Sequence, residues 1–514
     1  MKTLLLCLFI LACLPFSTSA QEAPRSVGIN LSAIVDWTTA HPFVDVFKTA
    51  RPWISQKRGA GWGEGGDLAL TPEGWVASLA QGQYAETLVF SAEPTLNAGM
   101  DGDYVLLYDG DGDFSFSGNA TIKTNRIGRI ELALRPSQGA VFLQLSRTNP
   151  DNPARNIRLV MAEYESTHAS APFNPRFLDV VRPFGAIRFM DWMNTNHEPP
   201  HTADTRPLPT DYTYAWRGVP AEVMVQLANT LNADAWFTMP HNADDGYVRA
   251  FASVVRDTLA PNLRAYVEYS NETWNGQFIQ AQYVVEMGLA AGLGNGNAFW
   301  AGLQYHSQRA VEMFRIWEEV FGGTSRLVRV LSSQAANAWT GEQVLDFNQA
   351  YQHVDALSIA PYFSCDDPAN PNNVASTLAN GLDALLAQQL KNVQVGGCAY
   401  AYITDNLALA RDYGVTLLAY EGGQHLSGYF GTENNEALTE LFIAANRHPM
   451  MKDVYRAYFD AWYSLGAGAF MVFADITAPS RFGSWGLLET VTQDVSTAPK
   501  YQAVLEVIRT QQRP

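Results

Sequence analysis

Glu272 stands in the stretch "LRAYVEYSNETWNGQF" (residues 263–278), preceded by Asn271 and flanked by Tyr269 and Trp274. A second glutamate, Glu421, closes the apolar run of "VTLLAYEGG". Both follow short apolar runs of the kind that form buried strands, so each would sit where a strand leaves the core. Two such carboxylates facing one another support double displacement at a glycosidic bond. One protonates the leaving oxygen and the other attacks the anomeric carbon, at a separation of roughly 5–5.5 Å. Their surroundings must differ, so that one keeps its proton near neutral pH while the other stays ionised.

Further polar groups collect at other strand ends. Arg188 and Asp191–Trp192 close "GAIRFMDW", His241–Asn242 follow "ADAWFTMP", Tyr362 follows "VDALSIAP", and Trp485 lies in "SRFGSWG". Arg188 would hold a carboxylate ionised and Tyr362 would donate to it. Asn271 would bond a sugar 2-hydroxyl, while Trp274 and its neighbours pack the acid and the sugar. An ion pair between Arg188 and Asp191 is an equal alternative. His241, taken alone, reads as structural.

The elements that must position these groups alternate. Short strands centred near Ile29, Ile187, Trp236, Val267, Val328, Leu357, Leu418 and Met471 are separated by helical stretches such as "VRAFASVVRDTL" and "VYRAYFDAWYSLG". Strict alternation of eight strands with helices predicts an α/β fold, a (β/α)8 TIM barrel whose strand C-termini share one open face. An open doubly wound sheet is the runner-up, but it usually opens with a Gly-rich phosphate loop and none is present. Residues 58–168 have a different texture. Runs such as "AETLVFSA", "DYVLLYDG" and "GRIELALRP" are bounded by turn residues, which predicts an all-β sandwich inserted between the first and second barrel strands. The expected organisation is a signal peptide over 1–20, the first part of the barrel over 21–57, the sandwich over 58–168 and the rest of the barrel over 169–514.

With the Asn–Glu pair ending the fourth strand, a Glu ending the seventh, and the strand-two Arg, strand-three His and strand-six Tyr, the chain resembles clan A, the retaining glycoside hydrolases built on (β/α)8 barrels. That clan includes cellulases, mannanases, xylanases, β-galactosidases and arabinofuranosidases. The resemblance covers the barrel and not the sandwich. It implies Glu272 as acid/base and Glu421 as nucleophile, with Asn271, Arg188, His241 and Tyr362 lining the subsite of cleavage and Trp485 flooring it. The expected substrate is a polysaccharide or oligosaccharide, a neutral β-linked glucan or hemicellulose. An exo-acting or arabinofuranosidase-type glycosidase remains open. From a different class, a non-catalytic carbohydrate-binding or cell-surface protein would use the sandwich and keep the barrel as a scaffold. Retention of both glutamates speaks against it.

Composition narrows the partners. A net charge of −17 repels polyanions, so nucleic acid is excluded as a partner. Only nine His occur, with no closely spaced pair at two strand ends, so neither a metal centre nor another cofactor is expected. Lys2, the run "LLLCLFILACL" and the small residues "STSA" read as a secretory signal cut after Ala20, giving a secreted or periplasmic protein. The apolar run, about eleven residues, is too short to span a bilayer. Lipid attachment at Cys13 is the lesser alternative. With Cys7 and Cys13 in the signal, Cys365 and Cys398 are left to form one disulfide. "DGDGD" (109–113) begins like a calcium loop but has Phe114 where Gly is required and Ala120 where Glu is required, so it reads as an acidic hairpin turn.

Overall fold

The computed structural model describes residues 27–196 and 201–511. The signal segment 1–20 and the lipid-attachment alternative at Cys13 lie outside the described residues. β1 (Val27–Asn30) is buried at every position. Ten strands follow before its next barrel neighbour: β2 (Ile54–Lys57), β3 (Ala69–Leu70), β4 (Val76–Ser78), β5 (Gln83–Phe90), β6 (Gly102–Asp109), β7 (Gly112–Gly118), β8 (Ala120–Arg126), β9 (Arg129–Leu134), β10 (Val141–Thr148) and β11 (Arg155–Met161). Helix and strand then alternate through β12 (Ala186–Arg188), β13 (Asp234–Met239), β14 (Ala265–Tyr269), β15 (Leu327–Ser332), β16 (Ala356–Ile359), β17 (Thr416–Ala419) and β18 (Phe470–Val472).

β1 and β12 to β18 form a closed barrel in chain order. Ile29 closes it, pairing in parallel with Ile187 on one side and Val472 on the other. Each of the eight strand centres expected from sequence falls inside one of these strands.

The two-residue period of a strand sorts side chains between lumen and helices. Trp236, Tyr266, Val328, Val330, Leu418 and Met471 fill the lumen, whereas Phe237, Val267 and Leu417 pack outward. Trp236 and Tyr266 stack there with ring centroids 5.2 Å apart. Truncating either ring would cost about 3–5 kcal/mol. Gly28 makes room for this packing, since a Cβ on it would lie 2.1 Å from the Met471 sulfur. The same period carries polar groups inward nearer the strand C-termini. Arg188 lies two residues beyond Ala186, Glu268 two beyond Tyr266, and Ser332 two beyond Val330.

The strands between β1 and β12 form two four-stranded sheets, ordered β2-β5-β10-β7 and β11-β6-β9-β8, beside the short pair β3-β4. One apolar cluster draws on both: Val89, Phe114 and Leu143 from the first sheet, Leu106, Leu132 and Leu159 from the second. β2 pairs antiparallel with β5, so this unit begins before residue 58, and residues 54–57 belong with it rather than with the barrel. The hairpin expected at 109–113 is corrected as well. β6 and β7 lie in different sheets, and the turn between them crosses from one to the other. Its carboxylates face protein donors: Arg147 on Asp113, Asn149 on Asp111 and Asn156 on Asp109.

Tyr212, from the segment after β12, packs against Trp53 and Trp75 of the antiparallel unit. Cys365 and Cys398 are disulfide-bonded, tying the segment after β16 to the helix Cys398–Asp412. Among the described residues, no helix is long and apolar enough to cross a membrane.

Candidate active site

Arg188 organises the C-terminal mouth of the barrel. Its side chain is fully buried, and its N–H groups donate to four separate side chains. Nε reaches Glu268 Oε2 at 3.1 Å, Nη1 reaches Asn30 Oδ1 at 3.0 Å and Glu421 Oε2 at 3.2 Å, and Nη2 reaches Asn271 Oδ1 at 2.9 Å. A buried guanidinium without such partners would be strongly destabilising. The Tyr420 ring lies 5.0 Å from the guanidinium carbon. The even choice between Asp191 and a catalytic carboxylate therefore resolves toward Glu268 and Glu421 as ion-pair partners. Asp191 lies half-buried nearby, and desolvation pushes its carboxyl up to about 6 against the pull of Arg188.

The two glutamates expected from sequence meet at this mouth. Tyr362 Oη donates to Glu421 Oε1 at 3.0 Å. Tyr420, next to Glu421 in the chain, donates across the barrel to Glu272 Oε1 at 2.8 Å. Asn275 donates to Glu272 Oε2 at 2.8 Å. Both tyrosines are held well above their ordinary pKa by burial and then by the adjacent carboxylates, so they remain O–H donors. Strand β14 ends sharply here: Ser270 and Glu272 adopt φ of +59° and +44°. Left-handed backbone at residues other than Gly costs of order 1 kcal/mol each and concentrates at functional positions.

Glu421 is buried, and burial together with the neighbouring Glu272 charge pushes its carboxyl up to about 8, against Arg188 and Tyr362. Coupled carboxylates titrate as a pair, so near neutral pH the pair holds one proton. Arg188 is a charged donor to Glu421, whereas Tyr420 and Asn275 are neutral donors to Glu272. Charged donors bind a carboxylate more strongly, so Arg188 works against the burial of Glu421.

Of the remaining expected residues, Asn271 is buried in the network, its amide donating to Asn196 Oδ1 at 3.1 Å. Trp274 is partly buried beside Tyr420 and His306. Trp485 packs edge-on against Tyr362 (centroids 6.0 Å apart), His425 (5.1 Å) and Phe473 (5.6 Å), which brings it to the Glu421 side. His241 is buried against the Tyr283 ring. Burial, then His201, lowers its pKa to about 4, so it is neutral in the working range. Asn242 is not drawn to either glutamate by any described hydrogen bond, and its buried side-chain oxygen has no partner. Trp192 is core, packed on Phe43 and Phe177.

Several participants escaped sequence reasoning. Glu268 receives hydrogen bonds from Arg188, Trp236 Nε1 and Ser332 as well as lying at the floor of the site. A glutamate inside the buried run "AYVEY" was a signal available for it. Asn30, Asn196, Gln280 and Tyr420 carried none, because their importance depends on partners far away in the chain. Gln280, for example, donates to both Asn196 Oδ1 and the Asn271 carbonyl at 2.7 Å.

No protein-family profile matches the chain, and no curated protein does. Solved structures do match. A 4-O-α-L-rhamnosyl-β-D-glucuronidase from Fusarium oxysporum is 13% identical, with 65% of this chain and 63% of that one aligned at a TM-score of 0.38. An endo-β-1,4-mannanase from Cellulomonas fimi is 10% identical over 56% of each chain, at 0.32. A GH5-4 broad-specificity endoglucanase from Clostridium longisporum is 11% identical over 68% of this chain and 89% of that one, at 0.37. Glycoside hydrolases of families 5 and 26 are thus among the structural neighbours, at low identity. The chain spans less than two thirds of the first two of these proteins.

Proposed function

We propose that this chain is a glycoside hydrolase that cleaves a neutral polysaccharide, a β-linked glucan or hemicellulose, by double displacement. One observation carries the reading: Glu272 and Glu421, from opposite sides of the barrel, meet at one mouth, and only Glu421 is ion-paired to the buried Arg188. In the first step Glu421 attacks the anomeric carbon, the bond to the leaving oxygen breaks, and Glu272 gives that oxygen its proton. In the second, Glu272 takes a proton from water as the water oxygen displaces Glu421, restoring both groups. Asn271, fixed by Arg188, offers its amide toward a sugar hydroxyl, and Tyr362 steadies the nucleophile. The antiparallel sheets between β1 and β12 act as one inserted sandwich domain, and residues 1–20 serve as an export signal.

Reducing-sugar release from a panel of neutral polysaccharides, measured for residues 21–514, tests this. The wild type should release sugar with the anomeric configuration retained, read by NMR of the first product. Glu421→Gly should abolish release. Glu272→Gln should lose most turnover on the polymer and much less on activated aryl glycosides, which need little protonation. Release that persisted in both variants would sink the assignment.

A further inference from the structure

Three large rings stand out in solvent on the catalytic face: Trp37, Phe430 and Phe482, with 54%, 85% and 57% of their surface exposed. Single exposed apolar side chains are ordinary. These three are distinguished by position. Trp37 follows β1, Phe430 follows β17 and Phe482 follows β18, and those strands are consecutive around the closed barrel. The rings therefore occupy one continuous arc of loops, on the side that carries Glu421.

Each ring is held rather than loose. Phe430 sits at φ +50°, a left-handed conformation that a bulky residue rarely adopts. Its neighbour Tyr429 anchors it by donating to Asp367 Oδ2 at 2.6 Å. The Arg481 guanidinium lies 4.8 Å from the Phe482 ring and also donates to Asn434 at 3.0 Å, which couples the β18 loop to the β17 loop. Asp36, beside Trp37, accepts two N–H bonds from Arg51, whose backbone N–H bonds the Leu88 carbonyl of β5, and one from the hydroxyl of Ser91, which directly follows β5. The Arg51 guanidinium is 5.9 Å from the Trp37 ring.

The arc is also continuous with the site. Trp485 packs on Tyr362, which bonds Glu421, and Trp485 Nε1 donates to the Phe482 carbonyl at 2.8 Å.

We propose that Trp37, Phe430 and Phe482 form a stacking track for several sugar units of a neutral glycan beyond the cleavage point, with the antiparallel unit bracing its Trp37 end. This rests on the glycoside hydrolase reading. Aromatic faces match the apolar faces of pyranose rings, and spaced rings suit a repeating chain. The net charge of −17 disfavours a polyanionic glycan, so the occupant is an uncharged chain.

The test compares Trp37→Ala, Phe430→Ala and Phe482→Ala with wild type and with Trp339→Ala, an exposed ring on the helix Ala338–Asp346. The measured quantity is kcat/KM on a soluble β-glucan, galactomannan or xylan divided by kcat/KM on an aryl glycoside. Each arc variant should lower that ratio about five- to tenfold, and Trp339→Ala should leave it within twofold. A ratio unchanged in all three arc variants, with the wild type active on the polymer, overturns the track and leaves the enzyme standing. If the wild type hydrolyses nothing, the enzyme reading fails instead. Retardation in gels containing the same polysaccharides then decides the track: loss of retardation in the arc variants alone supports it. Equal retardation, or none for wild type, overturns it.

Discussion

Replacing Glu268 with glutamine removes one charge at almost constant volume, and the surroundings tolerate it. If the glutamine oxygen takes the Oε2 position, it keeps the donors Arg188 and Trp236, and its amide donates to Ser332, which can turn its own proton to Ser358. The fold should survive, but the electrostatics change. Glu268 and Glu421 compete for one guanidinium, contacted at 3.0 and 3.2 Å. Unit charges roughly 6 Å apart interact by about 2.8 kcal/mol at an effective dielectric near 20, or about two pK units. Removing the Glu268 charge makes every ionisation of the Glu272–Glu421 pair easier, so its proton leaves at lower pH. The wild-type basic limb should fall near the value of about 8 reached by Glu421, because above it the pair loses the proton that the leaving group needs. In Glu268→Gln the bell-shaped profile of kcat/KM on the polymer should move acidward by one to two units, about the Coulomb figure above. Profiles from pH 4 to 10, with thermal midpoints taken at each pH to confirm folding, provide the assay. An unmoved or alkaline-shifted profile in a folded variant would refute the idea that Glu268 tunes the pair through Arg188.

Two further outcomes follow from the same structure. Burial and then the neighbouring Glu272 charge raise Glu421 from 4.5 to about 8; between those values the coupled pair keeps a proton that the unfolded chain has released, and stability falls as pH rises through that window. Glu421→Gln removes this term. Its thermal midpoint should gain on wild type progressively from pH 4.5 to 8, and a constant difference across that range would contradict the assignment. The disulfide closes a sequence separation of 33 residues. Cys365→Ser with Cys398→Ser should cost about 3–4 kcal/mol, visible as a lower urea midpoint with the slope nearly unchanged, whereas an unchanged midpoint would mean the bridge does not constrain the unfolded chain.

The barrel was legible because alternation of strand and helix is a local pattern. Each apolar run around Ile187, Val267 or Leu418 carries its own period, and strand ends announce themselves by the first polar residue. Glu272 and Glu421 can be placed at strand ends in that way. The wiring between them was not, because it depends on which strands become neighbours and on which layer of the lumen a side chain reaches. Arg188 could be assigned to Asp191 or to a catalytic carboxylate from sequence. Only the closed barrel puts Glu268, two residues from Tyr266 on the inner face, under its guanidinium. Tyr420 looked like the last apolar residue of a strand, and its hydroxyl instead crosses to Glu272. The turn at 109–113 reads as a hairpin because the sequence marks a reversal but not the sheet in which each arm pairs.

The pairing of β1 has a consequence for how the chain comes into being. Val27 pairs with Phe470, so the second edge of the first barrel strand to leave the ribosome waits for the last strand. At 5–20 residues per second the wait is roughly 20 to 90 seconds. The antiparallel sheets, complete by Met161, need no later strand and are free to fold in that interval. β1 meanwhile exposes only the four residues "VGIN", too short an edge to template much pairing with other chains. Long-range closure of this kind is slow, and the expected order of assembly is therefore the reverse of the order of importance for chemistry. The antiparallel sheets form first, and the mouth that holds Glu272 and Glu421 is completed when β17 and β18 arrive.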